Sequence, residues 1–291
     1  MAWLFLAIAG AFFESIKDIF SKKSLQDIDS ITVAFSMMFF TAIFSLPTFL
    51  IIPFPEIGDR FWLALLAGGI GNAIAFSLIM KALQISELSK VIPLTSLSPA
   101  FLLVTSPIIV GEFPNIIGVF GVLLIILGAY ILNIGKEKIP KQILAPFIEL
   151  SRDRGSKLAL FVAFIWSLNA NFYKIGVQNA SPFFWITLNA SSIAFLLSPF
   201  VLFRFQQNKR KLGKNLKYLI RLGFFNTLAS SCIVTALSLT LVVYVIAVKR
   251  TSTILSVFWG QLIFKEEGLK IRLLGATIMV LGVFAIASSN T

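Results

Sequence analysis

The chain of 291 residues is 57% hydrophobic and only 13% charged, with a mean hydropathy of +0.91, so a water-soluble domain would expose far too much apolar surface. Its net charge of +12 comes from short segments between apolar stretches, without a basic and aromatic platform that would indicate nucleic acid as a partner. The absence of histidine and the single cysteine exclude disulfides, histidine-based catalysis and His/Cys metal cages, and we expect no enzyme activity, cofactor or metal.

Ten apolar stretches have the length, roughly 20 residues, that spans about 30 Å of hydrocarbon. The first starts at Ala2 with no basic segment ahead of it, which predicts a retained helix and not a cleaved signal peptide. The sequence therefore predicts an all-α membrane protein with ten transmembrane helices, near residues 2–20, 31–52, 61–81, 88–110, 115–134, 157–178, 183–204, 217–239, 242–264 and 269–288.

The two halves of the chain repeat each other weakly. A charged linker, 135–156, separates a first five-helix repeat, 1–134, from a second, 157–291. Because five crossings are an odd number, two fused copies must lie in opposite orientations, which predicts an inverted repeat. In the second half, at a shift of about 154 residues, Gly69, Asn72, Glu112, Gly121 and Gly128 recur as Gly223, Asn226, Glu266, Gly275 and Gly282.

The distribution of basic residues predicts an orientation. About twenty lysines and arginines follow odd-numbered helices, whereas Arg60 alone follows an even-numbered one. Positive charges in short loops stay in the cytoplasm, so we expect the odd loops to be cytoplasmic and both termini outside. The expected location is the cell (inner) membrane.

The segment from Gly111-Glu112 through Gly121 to Leu127-Gly128, and its second copy from Lys265-Glu266-Glu267 through Gly275 to Leu281-Gly282, resemble the drug/metabolite transporter superfamily. Within it, the chain is most similar to the ten-helix EamA-type transporters. This resemblance implies a central cavity between the repeats and alternating access for a small metabolite. It also implies cytoplasmic termini, which is the opposite of what the loop charges predict.

The first helix carries two carboxylates and an ammonium within one turn of each other, on Glu14, Asp18 and Lys17. One carboxylate is expected to lack a local partner and is a candidate for proton coupling. Glu14 also looks like the first-helix glutamate that binds protons and substrate in small multidrug members of the superfamily. The alternative is a structural Glu14–Lys17 pair.

Neutral candidates for substrate binding are the repeat-related Asn72 and Asn226, which can instead bond helix to helix, and the aromatic residues Tyr244 and Trp259. Glu112 and Glu266 lie at helix junctions. There a carboxylate favours the N-terminus of the following helix.

Three cations lie inside predicted spans, Lys174 in the sixth helix and the Lys249-Arg250 pair in the ninth. Buried cations are costly and favour an anionic partner, and arginine offers forked donors for phosphate or carboxylate. The pair also looks like the ninth-helix basic pair of plastid sugar-phosphate translocators. Snorkelling to the interface, or ion pairs with Glu14 or Asp18, would explain it equally.

These features together predict a secondary active transporter, an exporter or exchanger, that moves a small and anionic metabolite across the bilayer. The alternatives are an exporter of neutral or cationic amino acids or drugs and, less favoured, a membrane-embedded enzyme. The chain has no phosphate-binding loop of an ATP-driven pump. We expect a monomer or homodimer.

Overall fold

The computed structural model describes residues 1–85, 94–133, 153–252, 254–255 and 269–289, and every regular element in these ranges is helical. Local sequence signals set several helix starts: Asp29, Asp153 and Ser181 each cap a helix with a side-chain oxygen. The helices are α1 Ala2–Leu25, α2 Ser30–Ser45, α3 Thr48–Ile51, α4 Phe61–Ile85, α5 Ser98–Ile109, α6 Ile116–Asn133, α7 Arg154–Gln178, α8 Pro182–Leu239, α9 Val242–Lys249 and α10 Leu269–Ser289.

Five segments of the described residues are long and apolar enough to cross a membrane, which confirms an all-helical membrane protein. Three shorter apolar segments lie in α5, α6 and α10. The α1 helix has the length of a span but carries charged residues near its middle. The five segments are Ser30–Ile51, Phe61–Ile79, Arg154–Gln178, Pro182–Phe203 and Lys211–Leu239.

The last two of these segments belong to a single helical element, α8, of 58 residues, where the sequence predicts two helices and a loop. On α2, Val33 clusters with Leu219, and the next residue, Ala34, clusters with Leu197. In a straight helix Leu197 and Leu219 would lie about 33 Å apart. The chain must therefore reverse direction between the two apolar segments of α8, although its backbone stays helical there.

Contacts between chain segments define the two ends of the helix bundle. At one, which we call the basic end, Asn215 Nδ2 donates to Asp27 Oδ2 at 3.0 Å. At the other, which we call the terminal end, Asn115 Nδ2 donates to the carbonyl oxygen of Ser289 at 2.7 Å. Since α1 is 24 residues long, its first residues also lie at the terminal end, about 36 Å from its last turn.

The α6 and α10 helices cross closely through glycines. A Cβ atom on Gly121 would lie 2.7 Å from the carbonyl oxygen of Gly282, and one on Gly128 would lie 2.6 Å from that of Gly275. Since Gly121 pairs with the later residue and Gly128 with the earlier, the two helices are antiparallel. Their backbones approach so closely that no side chain fits at these glycine positions.

We expect Gly121→Ala to destabilise the protein by about 1–3 kcal/mol, because its new methyl group would collide with backbone atoms that cannot move aside. Gly213→Ala is a matched control: this helical glycine has nothing within 4 Å of its Cβ position, so alanine should stabilise the helix by up to about 1 kcal/mol. Thermal unfolding of both variants in detergent would measure this difference. Equal midpoints would contradict the crossing.

The α9 helix lies in the interior of the bundle, with almost every residue from Val242 to Val248 fully buried. A helix that is apolar on all sides is stable only when other helices surround it. It shares a hydrophobic cluster with Trp3 of α1, Leu102 of α5 and Val122 of α6. Its last residue, Lys249, is thereby placed in the middle of the bundle.

Candidate functional site

Helical backbone tightens into a turn at two equivalent positions inside the bundle, where Leu97 and Arg250 keep right-handed helical dihedral angles. Residues 96–97 and 250–251 form turns with helical residues on both sides. Leu97 N donates to the carbonyl three residues earlier at 3.2 Å, and its carbonyl accepts from the N–H three residues later at 2.9 Å. Thr251 makes the same two bonds, both at 2.9 Å. The shift of 154 residues that relates the two halves also relates these two turns.

Arg250 joins the two turns. Its guanidinium donates to the hydroxyl of Ser98, which is buried at the start of α5. The guanidinium carbon also lies 6.0 Å from the ring centroid of Trp166, in the middle of α7. The basic side chain is therefore held between three helices, within the membrane-spanning part of the bundle.

Lys249 is paired with the charged residues of α1. Glu14 Oε1 lies 2.6 Å from Lys17 Nζ and 3.4 Å from Lys249 Nζ, and Lys17 Nζ lies 3.5 Å from Asp18 Oδ1. The expectation that one carboxylate of α1 lacks a local partner is therefore wrong, because Lys17 contacts both. Both alternatives hold instead: Glu14 pairs with Lys17 on its own helix and with Lys249 on α9.

We call Glu14, Lys17, Asp18, Lys249 and Arg250 the central cluster. Among the described residues it holds three cations and two carboxylates. The side chains of Lys249 and Asp18 are 33% and 49% exposed, so the protein does not fully enclose these two groups.

Lys174 belongs to a second, separate cluster. Its Nζ lies 2.9 Å from Glu112 Oε1 and donates to the carbonyl oxygens of Leu237, at 2.5 Å, and Thr240, at 2.6 Å. Three acceptors thus surround an ammonium that has three protons. The structure brings Lys249 and Arg250 together but does not bring Lys174 to them.

Glu112 caps α9. Its Oε2 accepts a hydrogen bond from Val242 N at 2.6 Å, at the N-terminus of that helix. Glu112 does lie at a helix junction, as predicted, but it does not cap the following helix, because Asn115 Oδ1 occupies the N-terminus of α6 by accepting from Gly118 N at 2.8 Å. Gly111, with a φ of 76°, ends α5 in a left-handed turn immediately before Glu112.

The two repeat-related asparagines bond helix to helix. Asn72 accepts from Asn169 Nδ2 at 3.0 Å and donates to Tyr173 Oη at 3.5 Å, both on α7. Asn226 Nδ2 donates to Thr41 Oγ1 of α2 at 2.9 Å. Both residues are buried, and these bonds join α4 to α7 and α8 to α2, not to the central cluster.

Tyr244 lines a pocket at the terminal end together with Glu112 and Lys174; its volume is about 410 Å³. Its ring stacks against Trp3 of α1, with centroids 6.4 Å apart. Trp259 and Glu266 lie outside the described residues.

Ser98 and Trp166, the partners of Arg250, were not predicted from the sequence. A proline in the first turn of a helix is a start signal, so Pro99 pointed to a helix that begins near Ser98. Trp166 gave no comparable signal, because an apolar helix carries many aromatic residues on every face.

The comparisons agree with this architecture. A solved crystal structure of another protein superposes with a TM-score of 0.73 at 13% identity, over 97% of this chain and 95% of the other, which shows a shared fold. No curated protein matches the chain. Residues 1–134 and 153–288 match the EamA-like transporter family. This match confirms the resemblance seen in the glycine and glutamate motifs, and the chain belongs to the EamA-like transporter family of membrane transporters for small solutes.

Proposed function

We propose that this protein is a secondary active transporter, not an enzyme, and that it works by alternating access between two inverted five-helix repeats. The observation that carries the proposal is the pair of matched turns within helical segments, at Leu97 and Thr251, beside the central cluster. A tight turn inside a helix often marks a functional hinge, and secondary transporters place their substrate sites at the interface between the repeats.

Contacts at the α6–α10 crossing support the inverted arrangement. At the shift of 154 residues, Gly275 is the equivalent of Gly121 and Gly282 is the equivalent of Gly128. When each residue is replaced by its equivalent, the observed contact Gly121–Gly282 becomes the other observed contact, Gly128–Gly275. An exchange of this kind is what a two-fold axis between the helices produces. Equivalent helices related by such an axis in the membrane plane run in opposite directions.

We propose an anionic solute because the central cluster brings two basic side chains, Lys249 and Arg250, into the membrane-spanning part of the bundle, where cations favour an anionic partner. Arg250 presents planar, forked donors that suit a phosphate or carboxylate group, and Lys249 adds a second charge at the same turn. The half-exposed carboxylate of Asp18 favours the second candidate, a neutral or cationic amino acid or drug.

Counterflow in proteoliposomes tests these functions. Vesicles loaded with one compound take up its labelled form only if the protein exchanges it, so a panel of phosphorylated, carboxylic and cationic compounds would identify the class. We expect exchange of small anions, with Lys211→Ala as a control because this exposed residue lies near the basic end. Exchange of cations alone would exclude the anionic function.

The orientation predicted from the loop charges assigns the basic end to the cytoplasm. In a Cys232→Ala background, we expect Lys211→Cys to react with a membrane-impermeant maleimide only in inside-out vesicles, and Ser289→Cys only in intact cells. The two positions are at opposite ends of the bundle, so each controls for the other. The reverse pattern would contradict the positive-inside argument and place the termini in the cytoplasm.

A further inference from the structure

We propose that Tyr244 and the Glu112–Lys174 ion pair form a gate that closes the solute pathway at the terminal end. This inference rests on the proposed transport function. The gate has two parts: an aromatic plug beneath the terminal-end pocket, and an ionic latch that ties the surrounding helix ends together.

The pocket is the outer part of this pathway. It is an open depression with a volume of about 410 Å³, which is large enough to admit a small molecule. Glu112 and Lys174 line it, and Tyr244 is the lining residue that belongs to α9. Lys249 follows Tyr244 by five residues on α9, so the central cluster begins about 7.5 Å deeper.

Tyr244 closes the space between the pocket and the central cluster. Its side chain is almost fully buried, and its ring stacks on Trp3 of α1. On the other side it reaches α6, where a Cβ on Gly118 would lie 1.9 Å from Tyr244 Oη. The ring therefore fills the gap between α1 and α6, and a solute cannot pass until α9 moves away from one of them.

The latch holds α9 in that closed position. Glu112 follows α5 and binds the N-terminus of α9, while Lys174, near the end of α7, binds the carbonyl oxygens at the C-terminal end of α8. Each charge has the sign that its helix end favours. The pair is largely buried, so separating it without a replacement partner is costly.

An anionic solute supplies such a replacement. When it enters the pocket, its phosphate or carboxylate group takes the place of Glu112 beside Lys174, and the cost of breaking the ion pair falls. The negative charge of the solute thus separates Glu112 from Lys174, and α9 can then move when the solute has bound.

Cysteine accessibility tests the gate without a transport assay. Ala170 is buried one helical turn deeper than Lys174 on α7, so Ala170→Cys in a Cys232→Ala background reports on the space behind the latch. In proteoliposomes, Glu112→Gln and Lys174→Met should each raise its rate of labelling by a membrane-impermeant maleimide about tenfold. Glu112→Gln keeps an oxygen for Val242 N and removes only the charge. Because both changes break one contact, the double variant should label no faster than the faster single variant.

Leu222→Cys is the matched control, since Leu222 is fully buried among residues near the basic end. Faster labelling at both reporters would mean that the fold has loosened, and would overturn the gate. Unchanged labelling of Ala170→Cys in both latch variants would overturn it as well. Faster labelling at Ala170→Cys alone supports the gate even if wild-type protein exchanges no anion, an outcome that would instead reject the anionic transport function.

Discussion

Arg250→Ala should weaken binding of an anionic solute by about thirtyfold, because charge-assisted hydrogen bonds contribute roughly 1.5–3 kcal/mol each. The loss should be this large because the guanidinium is held in place by Ser98 and Trp166 and does not have to be ordered when the solute binds. Arg250→Lys should have a smaller effect, since it keeps a charge but loses the fork. Equilibrium binding of the anion that performs best in counterflow would measure both variants.

Two controls separate the charge of Arg250 from general disruption. Ser98→Ala removes one partner of the guanidinium but keeps the cation, so anion binding should fall less than in Arg250→Ala. A cationic ligand should bind Arg250→Ala as well as wild type, or better. Unchanged anion binding in Arg250→Ala would remove Arg250 from the site.

Glu14→Gln should lower the free energy of unfolding by about 1–2 kcal/mol, which is less than the cost of leaving a fully buried charge without its partner because the Lys249 side chain is 33% exposed. Lys17 keeps Asp18, so the residue that loses its carboxylate is Lys249. The double variant Glu14→Gln with Lys249→Met should therefore recover much of the stability, whereas Glu14→Gln with Lys17→Met should not. Thermal unfolding in detergent gives the comparison, and equal losses in all three variants would contradict the Glu14–Lys249 pair.

Ligand binding to Glu14→Gln also tests the role of Glu14 in transport. With its carboxylate removed, Lys249 is available to an anionic solute, so anion affinity should rise while the protein loses stability. A proton-linked cycle through Glu14 or Asp18 remains a separate hypothesis. It requires wild-type uptake to depend on the proton gradient, and uptake that continues unchanged after the gradient has collapsed would contradict it.

Much of the fold could be predicted because the lipid bilayer sets the length of an apolar helix. The stretches predicted at 115–134 and 269–288 correspond to α6, Ile116–Asn133, and α10, Leu269–Ser289. The bilayer sets no such limit on polar segments. The loop predicted within α8 is helical, since its polar residues favour a helix as readily as a loop once the chain has left the hydrocarbon.

The candidate site was harder to predict because its contacts join distant parts of the chain. The cations inside spans could be found from their high cost in lipid, but hydropathy does not identify their partners. Glu112 caps a helix 130 residues away, and nothing local to Glu112 indicates that α9 begins beside it. The matched turns at Leu97 and Thr251 could have been sought at positions 154 residues apart, yet their residue types differ.

The glycine crossing of α6 and α10 has a consequence for how the two halves diverge. We call this crossing the seam. There Ile125 lies against Gly282, and the equivalent residue of the second half, Met279, lies against Gly128. Since Gly282 is itself the equivalent of Gly128, equivalent residues of the two halves make the same contact. A substitution in one half therefore alters the surroundings of the other, and the two copies cannot drift independently there. Away from the seam they can: the counterpart of Arg250, 154 residues earlier, is Ser96. Packing at the seam therefore restricts substitutions in both halves, whereas residues elsewhere can change in one half alone.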